Sequence, residues 1–240
     1  MDISIVLPAY QEYENLKRIL PIMTETLKNR SYEIIVVDTI SPMDDTKRLC
    51  EENCVKYVLR KGGNSYGDAI RTGIEEANGK YMVIMDADGS HNPIDIIRLY
   101  NTISTEEYDV VIGSRYCCGG NTDNPFILKF MSWALNVTYR ILFNLKVKDV
   151  SNSFKAYKTE DLKGIPLECS DFDIVEEMII KLNLKYSPIK VKEIPISFSK
   201  RNSGESKRDL RKFIRSYLTT IHRLKVLKRR YALERKRGVI

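Results

Sequence analysis

The sequence predicts an α/β fold with a doubly wound, mostly parallel sheet and helices on both of its faces. Four short apolar runs, at residues 3–7, 33–37, 81–85 and 109–113, resemble strands that are buried on both sides. Helix-compatible stretches lie between or after them, at residues 12–29, 44–53, 68–77 and 93–102. This alternation is typical of doubly wound proteins, in which ligands bind at the carboxyl ends of the strands.

The composition allows one substantial core with a short appendage. The chain has 240 residues, 43% of them hydrophobic, which is short for two independent enzyme domains. The N-terminus carries no basic stretch ahead of an apolar run, so we expect no secretory signal and a site that faces the cytoplasm. Five cysteines, two of them adjacent, do not suit a disulfide framework, and the two histidines, which lie far from them, disfavour a zinc site. Walker and dinucleotide-binding glycine spacings are absent, which disfavours an ATPase or an NAD enzyme.

The positive charge is concentrated at the C-terminal end. Residues 200–240 contain fifteen Lys or Arg and three acids, whereas the chain as a whole has a net charge of +7. Such a basic segment is typical of contact with an anionic surface or a polyphosphate. We expect no nucleic-acid partner, because no nucleic-acid-binding motif accompanies the basic residues.

Two apolar segments have alternative interpretations. Residues 125–145 are strongly apolar, but Lys129 and Arg140 interrupt them, so they form either a helix at a membrane interface or an ordinary core helix. Residues 209–228 place apolar side chains at helical spacing with Arg and Lys on the other faces. This basic amphipathic helix can lie on anionic lipid or dock on the protein's own core.

The most informative segment is Asp86-Ala87-Asp88, which directly follows the apolar run at residues 81–85. Two carboxylates at a strand end can meet one divalent cation, and such hard oxygen ligands suit Mg²⁺ or Mn²⁺ together with phosphate oxygens. The alternative is a turn with Asx capping. The first strand ends near Tyr10, whose ring can stack on a base. The second ends at Asp38, whose carboxylate can accept hydrogen bonds from a base or a ribose.

These segments, taken in order, resemble glycosyltransferase family 2 and, within it, the branch of dolichol-phosphate mannosyltransferases and polyprenyl-phosphate glycosyltransferases. The resemblance extends to about Lys207. It rests on seven ordered stretches, at residues 5–16, 34–46, 66–79, 83–93, 110–120, 147–157 and 191–207.

The resemblance implies a GT-A-type fold and assigns roles to particular residues. A catalytic domain would cover residues 1–207, and residues 208–240 would form a basic amphipathic tail at the membrane surface. The metal would bind Asp86 and, principally, Asp88, and the catalytic pair would be Asp88 and Arg115. The acceptor and donor phosphates would meet Arg115, Arg201 and Lys207. The nucleotide sugar would contact Pro8, Tyr10, Glu12, Val36, Asp38, Asp86 and Ala87.

The implied reaction is an inverting, metal-dependent transfer of a sugar from GDP-mannose or a UDP-sugar to a polyprenyl phosphate, either dolichyl or undecaprenyl. The enzyme would work at the cytoplasmic face as a peripheral protein on an anionic membrane surface. A lipid phosphate is already ionised, so no strong base is needed, and His91 is expected to cap or orient the turn that contains Asp88.

The sequence departs from the family pattern at two positions. Thr39 stands where many members have a second Asp, and Ser90 stands where dolichol-type enzymes have Gln as a further metal contact. Two alternatives therefore stay open. One is a transferase that acts on a saccharide hydroxyl, with Asp173, Glu176 or Glu177 as base. The other is a catalytically silent protein that binds nucleotide sugars.

Overall fold

The computed structural model of the chain describes residues 1–200 and 210–237, and of residues 210–214 it describes the main chain only. The strands in these ranges are β1 (Ile3–Pro8), β2 (Tyr32–Asp38), β3 (Lys56–Leu59), β4 (Tyr81–Ile84), β5 (Val110–Ser114), β6 (Asn121–Thr122), β7 (Lys155–Lys158), β8 (Val191–Pro195) and β9 (Ser197–Phe198). The helices are α1 (Tyr13–Leu27), α2 (Thr46–Glu52), α3 (Tyr66–Glu76), α4 (Asp95–Thr105), α5 (Phe126–Phe143), α6 (Thr159–Lys163), α7 (Ile174–Tyr186) and α8 (Leu210–Lys236).

Seven strands form the main sheet in the order β3-β2-β1-β4-β7-β5-β8. The pairs β1–β2, β1–β4, β2–β3 and β5–β8 are parallel, and β7 lies antiparallel between β4 and β5. The short strands β6 and β9 pair separately in a second, parallel sheet. The predicted mostly parallel sheet is therefore confirmed, with β7 as the one reversed strand of the main sheet.

The strand side chains alternate between two cores on opposite faces of the sheet. Val6 and Ile84 contribute to a core with residues of α3, α5, α7 and α8. Ile5 and Leu7 point to the other face, where α1, α2 and α4 pack. Helices thus cover both faces, as predicted, and this is why the strands are apolar throughout rather than alternating.

The reversed direction of β7 decides which residues meet at the edge of the sheet. The carboxyl ends of β1, β2, β4 and β5 share one edge, and the amino end of the antiparallel β7 lies at the same edge. The segment at residues 149–154, which leads into β7, therefore lies beside the residues that follow β4 and β5. This edge holds Asp38, Asp86 and Arg115.

Helix α5 exposes much of its apolar surface. Its buried residues are Asn136, Tyr139 and Phe143, which belong to its C-terminal half. Phe126 is 83% exposed, and the other large apolar side chains exposed on this helix are Ile127, Leu128, Phe130, Trp133 and Ile141. The first half of α5 is therefore not an ordinary core helix. No helix in the described ranges combines the length and the apolar character that crossing a membrane requires.

Helix α8 docks on the body of the protein. Tyr217, Thr220 and Leu224 are buried, and the neighbouring apolar residues Ile221, Leu227 and Tyr231 pack against the core that contains α5 and α7. The Lys228 ammonium donates to the main-chain carbonyl of Leu142 at 2.6 Å. From residue 217 onward the apolar side chains of α8 thus pack on the core, as the second of the two interpretations predicts. The basic side chains of residues 229, 230 and 235–237 are exposed.

Gly67 marks a close contact between α3 and the segment that precedes α7. Its amide donates to the carbonyl of Ser170 at 2.8 Å. A Cβ atom at this position would lie 2.1 Å from the carbonyl oxygen of Cys169 and 2.9 Å from Cα of Ser170. Main-chain atoms cannot yield as a flexible side chain can, so any side chain at residue 67 would separate the two segments.

We expect Gly67→Ala to lower the free energy of unfolding by roughly 1–3 kcal/mol, the usual penalty for an overpacked site. The measurement is urea denaturation followed by circular dichroism. The matched control is Glu75→Ala on the exposed side of the same helix, which should change stability by less than about 0.5 kcal/mol. Equal stability of Gly67→Ala and the wild type would show that the contact is looser than described.

Candidate active site

Asp86 and Asp88 stand in a turn that follows β4 at the carboxyl edge of the sheet. The two oxygens of the half-buried Asp86 carboxylate accept hydrogen bonds from different elements, Oδ1 from the Tyr66 hydroxyl at 2.9 Å and Oδ2 from the Ser153 hydroxyl at 2.8 Å. Tyr66 in turn stacks on Phe172, with 4.5 Å between the ring centroids. These contacts orient the Asp86 carboxylate before any ligand binds.

The Asp88 carboxylate organises the turn itself. Its Oδ1 accepts the Ser90 amide at 3.0 Å, and Gly89 between them has a φ of 76°. The predicted alternative of an Asx-capped turn is thus present, and it is compatible with a cation at the same carboxylates. The Ser90 hydroxyl is buried and has no hydrogen-bond partner among the described residues.

Residues 1–200 and 210–237 contain no group of three or more His, Cys, Asp or Glu side chains that could hold a metal ion. The turn at residues 86–88, called the DAD turn below, has two carboxylates, which would therefore need oxygens from a bound substrate to complete a coordination sphere. Mg²⁺ commonly binds in this way, with one or two carboxylates and substrate phosphates.

The residues predicted to contact the nucleotide lie along the edge formed by β1 and β2. Tyr10 follows β1 and is 40% exposed, so its ring is accessible at the surface. Pro8 ends β1, and the buried Glu12 precedes α1 and accepts a hydrogen bond from the Asn15 side chain at 2.6 Å. The side chains of Val36 and Ala87 are buried in the core beneath this edge. The predicted ligand contacts of all five residues stay predictions.

Asp38 is buried at the end of β2. Its Oδ2 accepts the Tyr57 hydroxyl at 2.9 Å and its Oδ1 accepts the Thr39 amide at 2.7 Å. Burial, together with the hydrogen bond to Asp38, raises the pKa of Tyr57 well above its usual range. The Thr39 hydroxyl donates to the carbonyl of Ser41 at 2.8 Å. Thr39, which stands where many family members have Asp, thus closes the loop after β2.

Arg60, which follows β3, joins two walls of this region and was not identified from the sequence. Its buried guanidinium donates to the carbonyls of Ala9 at 2.5 Å and Asn64 at 2.7 Å. Burial lowers the pKa of Arg60, although the nearby Asp38 opposes this. Arg60 thereby ties the chain after β1 to the loop before α3.

Arg115, directly after β5, is held by Asp149 in a buried, bidentate ion pair. Its Nε and Nη2 donate to the two Asp149 oxygens at 2.8 and 2.7 Å, and Nη2 also reaches the Ser151 hydroxyl at 3.0 Å. Burial alone would lower the pKa of Arg115, but the charge and the hydrogen bonds of Asp149 act together against burial, and the pKa is raised. Within residues 1–200 and 210–237, Nη1 donates no hydrogen bond. Binding of a phosphate by Arg115 stays a prediction, and Nη1 is the nitrogen through which it could occur.

His91 is buried and connects the turn to neighbouring segments. Its Nε2 lies 3.0 Å from Oδ1 of Asn152, and its ring packs against Phe154 and Phe198 with centroid distances of 4.8 and 5.1 Å. Asn152 in turn donates to the carbonyl of Gly113 at 2.5 Å. These contacts are those of a residue that orients the turn.

Two of the three acids considered as alternative bases, Glu177 and Asp173, have structural partners. Glu177 accepts the Cys169 amide at 2.8 Å and pairs with Lys181 and Arg223 at 2.9 and 3.1 Å. Oδ2 of Asp173 accepts hydroxyls of α8, from Ser216 at 2.7 Å and Thr220 at 2.6 Å. Glu176 is fully buried, and burial raises its pKa to about 8.

Arg201 and Lys207, predicted to bind phosphate, lie outside the described residues. The chain approaches that segment beside the DAD turn, since the Ser199 amide donates to the carbonyl of Ser90 at 2.9 Å. The sequence pattern did not assign roles to Tyr66, Asp149 or Ser153. They lie in the stretches at residues 66–79 and 147–157, which resemble the family, and that resemblance was the available signal.

Comparison with solved structures confirms the GT-A-type fold. Glucosyl-3-phosphoglycerate synthase of Mycobacterium tuberculosis, in complex with Mn²⁺, UDP and glucosyl-3-phosphoglycerate, superposes with a TM-score of 0.71 at 18% identity. The match covers 95% of this chain and 79% of that one. A structure of the same enzyme with Mg²⁺ and UDP gives a TM-score of 0.69 at 16% identity, over 92% of this chain and 79% of that one. At these identities the likeness establishes the fold alone.

Comparison of sequences identifies the family. A dolichol-phosphate mannosyltransferase of Pyrococcus furiosus is 36% identical over 230 residues, which are 93% of this chain and 64% of that protein. The chain therefore spans less than two thirds of the length of this relative. An undecaprenyl-phosphate mannosyltransferase of Micrococcus luteus is 31% identical over 86% of this chain and 87% of its own length. Residues 4–165 match the model of glycosyl transferase family 2, and the two relatives match over most of the chain. The chain therefore belongs to this family, as its sequence motifs predict.

Proposed function

We propose that this protein transfers a sugar, with inversion, from a nucleoside-diphosphate sugar to a polyprenyl phosphate. The donor would be GDP-mannose or a UDP-sugar, and the lipid dolichyl or undecaprenyl phosphate. The observation that carries the proposal is the meeting of the DAD turn and Arg115 at one edge of the sheet, linked by residues 149–153. The two mannosyltransferase relatives, whose names include lipid phosphates, support this acceptor class.

A divalent cation, Mg²⁺ or Mn²⁺, fits the donor set of the DAD turn. Asp86 and Asp88 offer hard carboxylate oxygens, and the Tyr66 and Ser153 hydroxyls hold one of these carboxylates in place. When bound, the cation would stabilise the negative charge of the departing nucleoside diphosphate. Structures of a protein with the same fold contain Mn²⁺ or Mg²⁺ together with UDP, which agrees with this assignment.

A phosphate acceptor requires less of the described residues than a hydroxyl acceptor, because it needs no general base. A lipid phosphate is ionised at neutral pH and needs no strong base to attack the anomeric carbon. Asp173 and Glu177 are engaged by α8 and by Lys181 and Arg223, which is the behaviour of structural groups. Arg115 supplies an oriented guanidinium, which Asp149 holds in place and whose charge it balances.

We further propose peripheral attachment to an anionic membrane at the cytoplasmic face. The exposed apolar side chains at the start of α5 can enter the headgroup region, and the exposed basic side chains at the end of α8 can meet lipid phosphate. The predicted catalytic domain of residues 1–207 and tail of residues 208–240 meet within the part of the chain that is not described. Because α8 docks on the core, its contribution would come from charge rather than from its apolar stripe.

The first test is a donor panel. GDP-mannose and several UDP-sugars are incubated with a short polyprenyl phosphate, with Mn²⁺ and with excess chelator. We expect transfer from one donor with metal present, and loss of transfer for Asp88→Ala by a factor of about 10²–10³ or more, because one well-placed electrostatic group is removed. Glu14→Ala, an exposed acid of α1, serves as the control. Undiminished transfer in chelator would remove the metal from the mechanism.

Arg201 and Lys207 are expected to act on the phosphate of the acceptor. Arg201→Ala and Lys207→Ala should raise the KM for the polyprenyl phosphate or lower kcat, while the nucleotide affinity changes little. Steady-state kinetics in the lipid and calorimetry with the nucleotide separate these quantities. If both variants weaken nucleotide binding as much as turnover, the two residues belong to the donor site.

Replacing Phe126, Ile127, Phe130 and Trp133 together by Ser should weaken binding to vesicles that contain anionic lipid. We expect a loss of about tenfold or more, because burying one large apolar side chain is worth roughly 1.5–3 kcal/mol. Flotation at low and high salt measures the apolar and electrostatic parts separately. The matched control, Ile22→Ser with Ile94→Ser, removes exposed apolar side chains from other helical regions and should float like the wild type. Equal loss in both proteins would refute a specific role for α5.

A further inference from the structure

Lys155 is a fully buried lysine at the start of β7, next to the candidate active site. Its side chain has no exposed surface. The ammonium donates to the main-chain carbonyls of Val150, at 2.9 Å, and Asn152. A buried ammonium is tolerated only where hydrogen bonds and opposite charges compensate for the loss of water. The presence of a lysine at this buried position therefore needs an explanation.

The two carbonyls that bind Lys155 lie on either side of Ser151. One side chain therefore fixes the path of the main chain through residues 150–152, which contain no helix or strand. Further support comes from Asn136, whose Oδ1 accepts the Ser151 amide at 2.9 Å, and from Glu193, whose Oε1 accepts the Asp149 amide at 2.9 Å.

The segment that Lys155 holds contacts both halves of the site. Asp149 and Ser151 bind the Arg115 guanidinium, which lies on the side assigned to the acceptor. Ser153 donates to Asp86, which lies on the side assigned to the donor and the cation. Asn152, between them, contacts His91. A shift of this segment would change the distance between the Asp86 carboxylate and the Arg115 guanidinium.

The position of Lys155 in the sheet explains why it can influence both Asp86 and Arg115. In the register of β7, Lys155 is paired with Ile84 of β4 on one side and with Ile112 of β5 on the other. Asp86 follows Ile84 by two residues, and Arg115 follows Ile112 by three. The Lys155 main chain thus joins the two strands that carry the site, and its side chain reaches the loop above them.

The charges around Lys155 keep its ammonium tolerable in this buried place. Burial lowers the pKa of Lys155 to about 8, and this effect is opposed by Asp149 and by Glu176 when its carboxyl group is ionised. Glu176 belongs to α7 and is itself fully buried. A methionine at residue 155 would fill a similar volume but could not donate to either carbonyl.

We propose that Lys155 is a positioning residue: by holding the carbonyls of Val150 and Asn152, it sets the spacing between Asp86 and Arg115. The inference rests on the proposed transfer reaction for its kinetic consequence, but not for its structural one. The competing explanation is that Lys155 only supports the core.

The variants are Lys155→Met, which removes both hydrogen bonds, and Lys155→Gln, which keeps a donor without the charge. The control is Lys158→Met at the other end of the same strand, where the lysine pairs with Asp109 at 2.6 Å near the surface. We expect Lys155→Met to lower kcat by about 10²-fold, since a misplacement of about 1 Å can have an effect of this size. The KM values for donor and lipid should change less than about threefold, Lys155→Gln should be intermediate, and Lys158→Met should match the wild type.

Hydrogen exchange gives a readout that does not depend on the reaction. In Lys155→Met we expect faster exchange at the amides of Arg115, Asp149 and Ser151, which donate to Asp149, Glu193 and Asn136, while the amides of β1 and β2 keep their protection. Faster exchange throughout the chain, or local loosening with full turnover, would overturn the proposal. If the wild type transfers no sugar, the proposed reaction fails, and the exchange pattern still decides whether Lys155 holds the segment.

A double variant covers the case in which Lys155→Met folds poorly. Ser153→Ala removes the hydrogen bond to Asp86 and leaves Lys155 in place. Combined with Lys155→Gln, it should lower kcat by clearly less than the product of the two single effects, because both changes act through the same segment. Independent, multiplying effects would contradict the proposal.

Discussion

The antiparallel insertion of β7 between β4 and β5 is the constraint on which the site depends. In a wholly parallel sheet the chain that precedes a strand arrives at the amino edge, away from the ligand. Reversal of β7 brings residues 149–154 to the carboxyl edge instead. Asp149 and Ser153 can then hold groups that follow two different strands, Arg115 after β5 and Asp86 after β4. The relative position of the two groups is therefore a property of the sheet.

The buried pair of Arg115 and Asp149 shows how charge is used at this edge. Removing both ions from water is unfavourable, and the pair is tolerated because the contact is bidentate and the remaining donors and acceptors have partners. Among the described residues the exception is Nη1 of Arg115. A guanidinium that is already desolvated and oriented needs little reorganisation to meet an anion, which is how preorganised electrostatic groups assist a reaction.

The sequence predicted those parts of the fold in which the local pattern and the tertiary environment agree. The four apolar runs became β1, β2, β4 and β5, and the predicted helices became α1 to α4 with ends shifted by a few residues. β7 was missed because its sequence, Lys-Ala-Tyr-Lys, has no apolar run, and burial of Lys155 depends on carbonyls that only the folded chain supplies. The apolar face of α8 was recognised from the spacing of its residues, but this spacing does not show whether lipid or the protein core covers that face. The candidate site follows the same division: Asp86 and Asp88 stand out next to β4, whereas Tyr66 and Asp149 gain their partners through contacts distant in the sequence.

The strand order also dictates a sequence of events during synthesis. β1 to β4 have hydrogen-bonded neighbours among themselves, so the N-terminal part of the sheet can assemble as it leaves the ribosome. In the main sheet β5 pairs only with β7 and β8, and both are made later. Until residues 155–158 emerge, β5 has no place in that sheet, so its apolar side chains are uncovered and its backbone N–H and C=O groups lack partners there. More than forty residues must therefore be synthesised after β5 before the strand that pairs with it is complete. During this interval the apolar side chains of β5 are exposed, and this is the stage at which chaperones would be most needed.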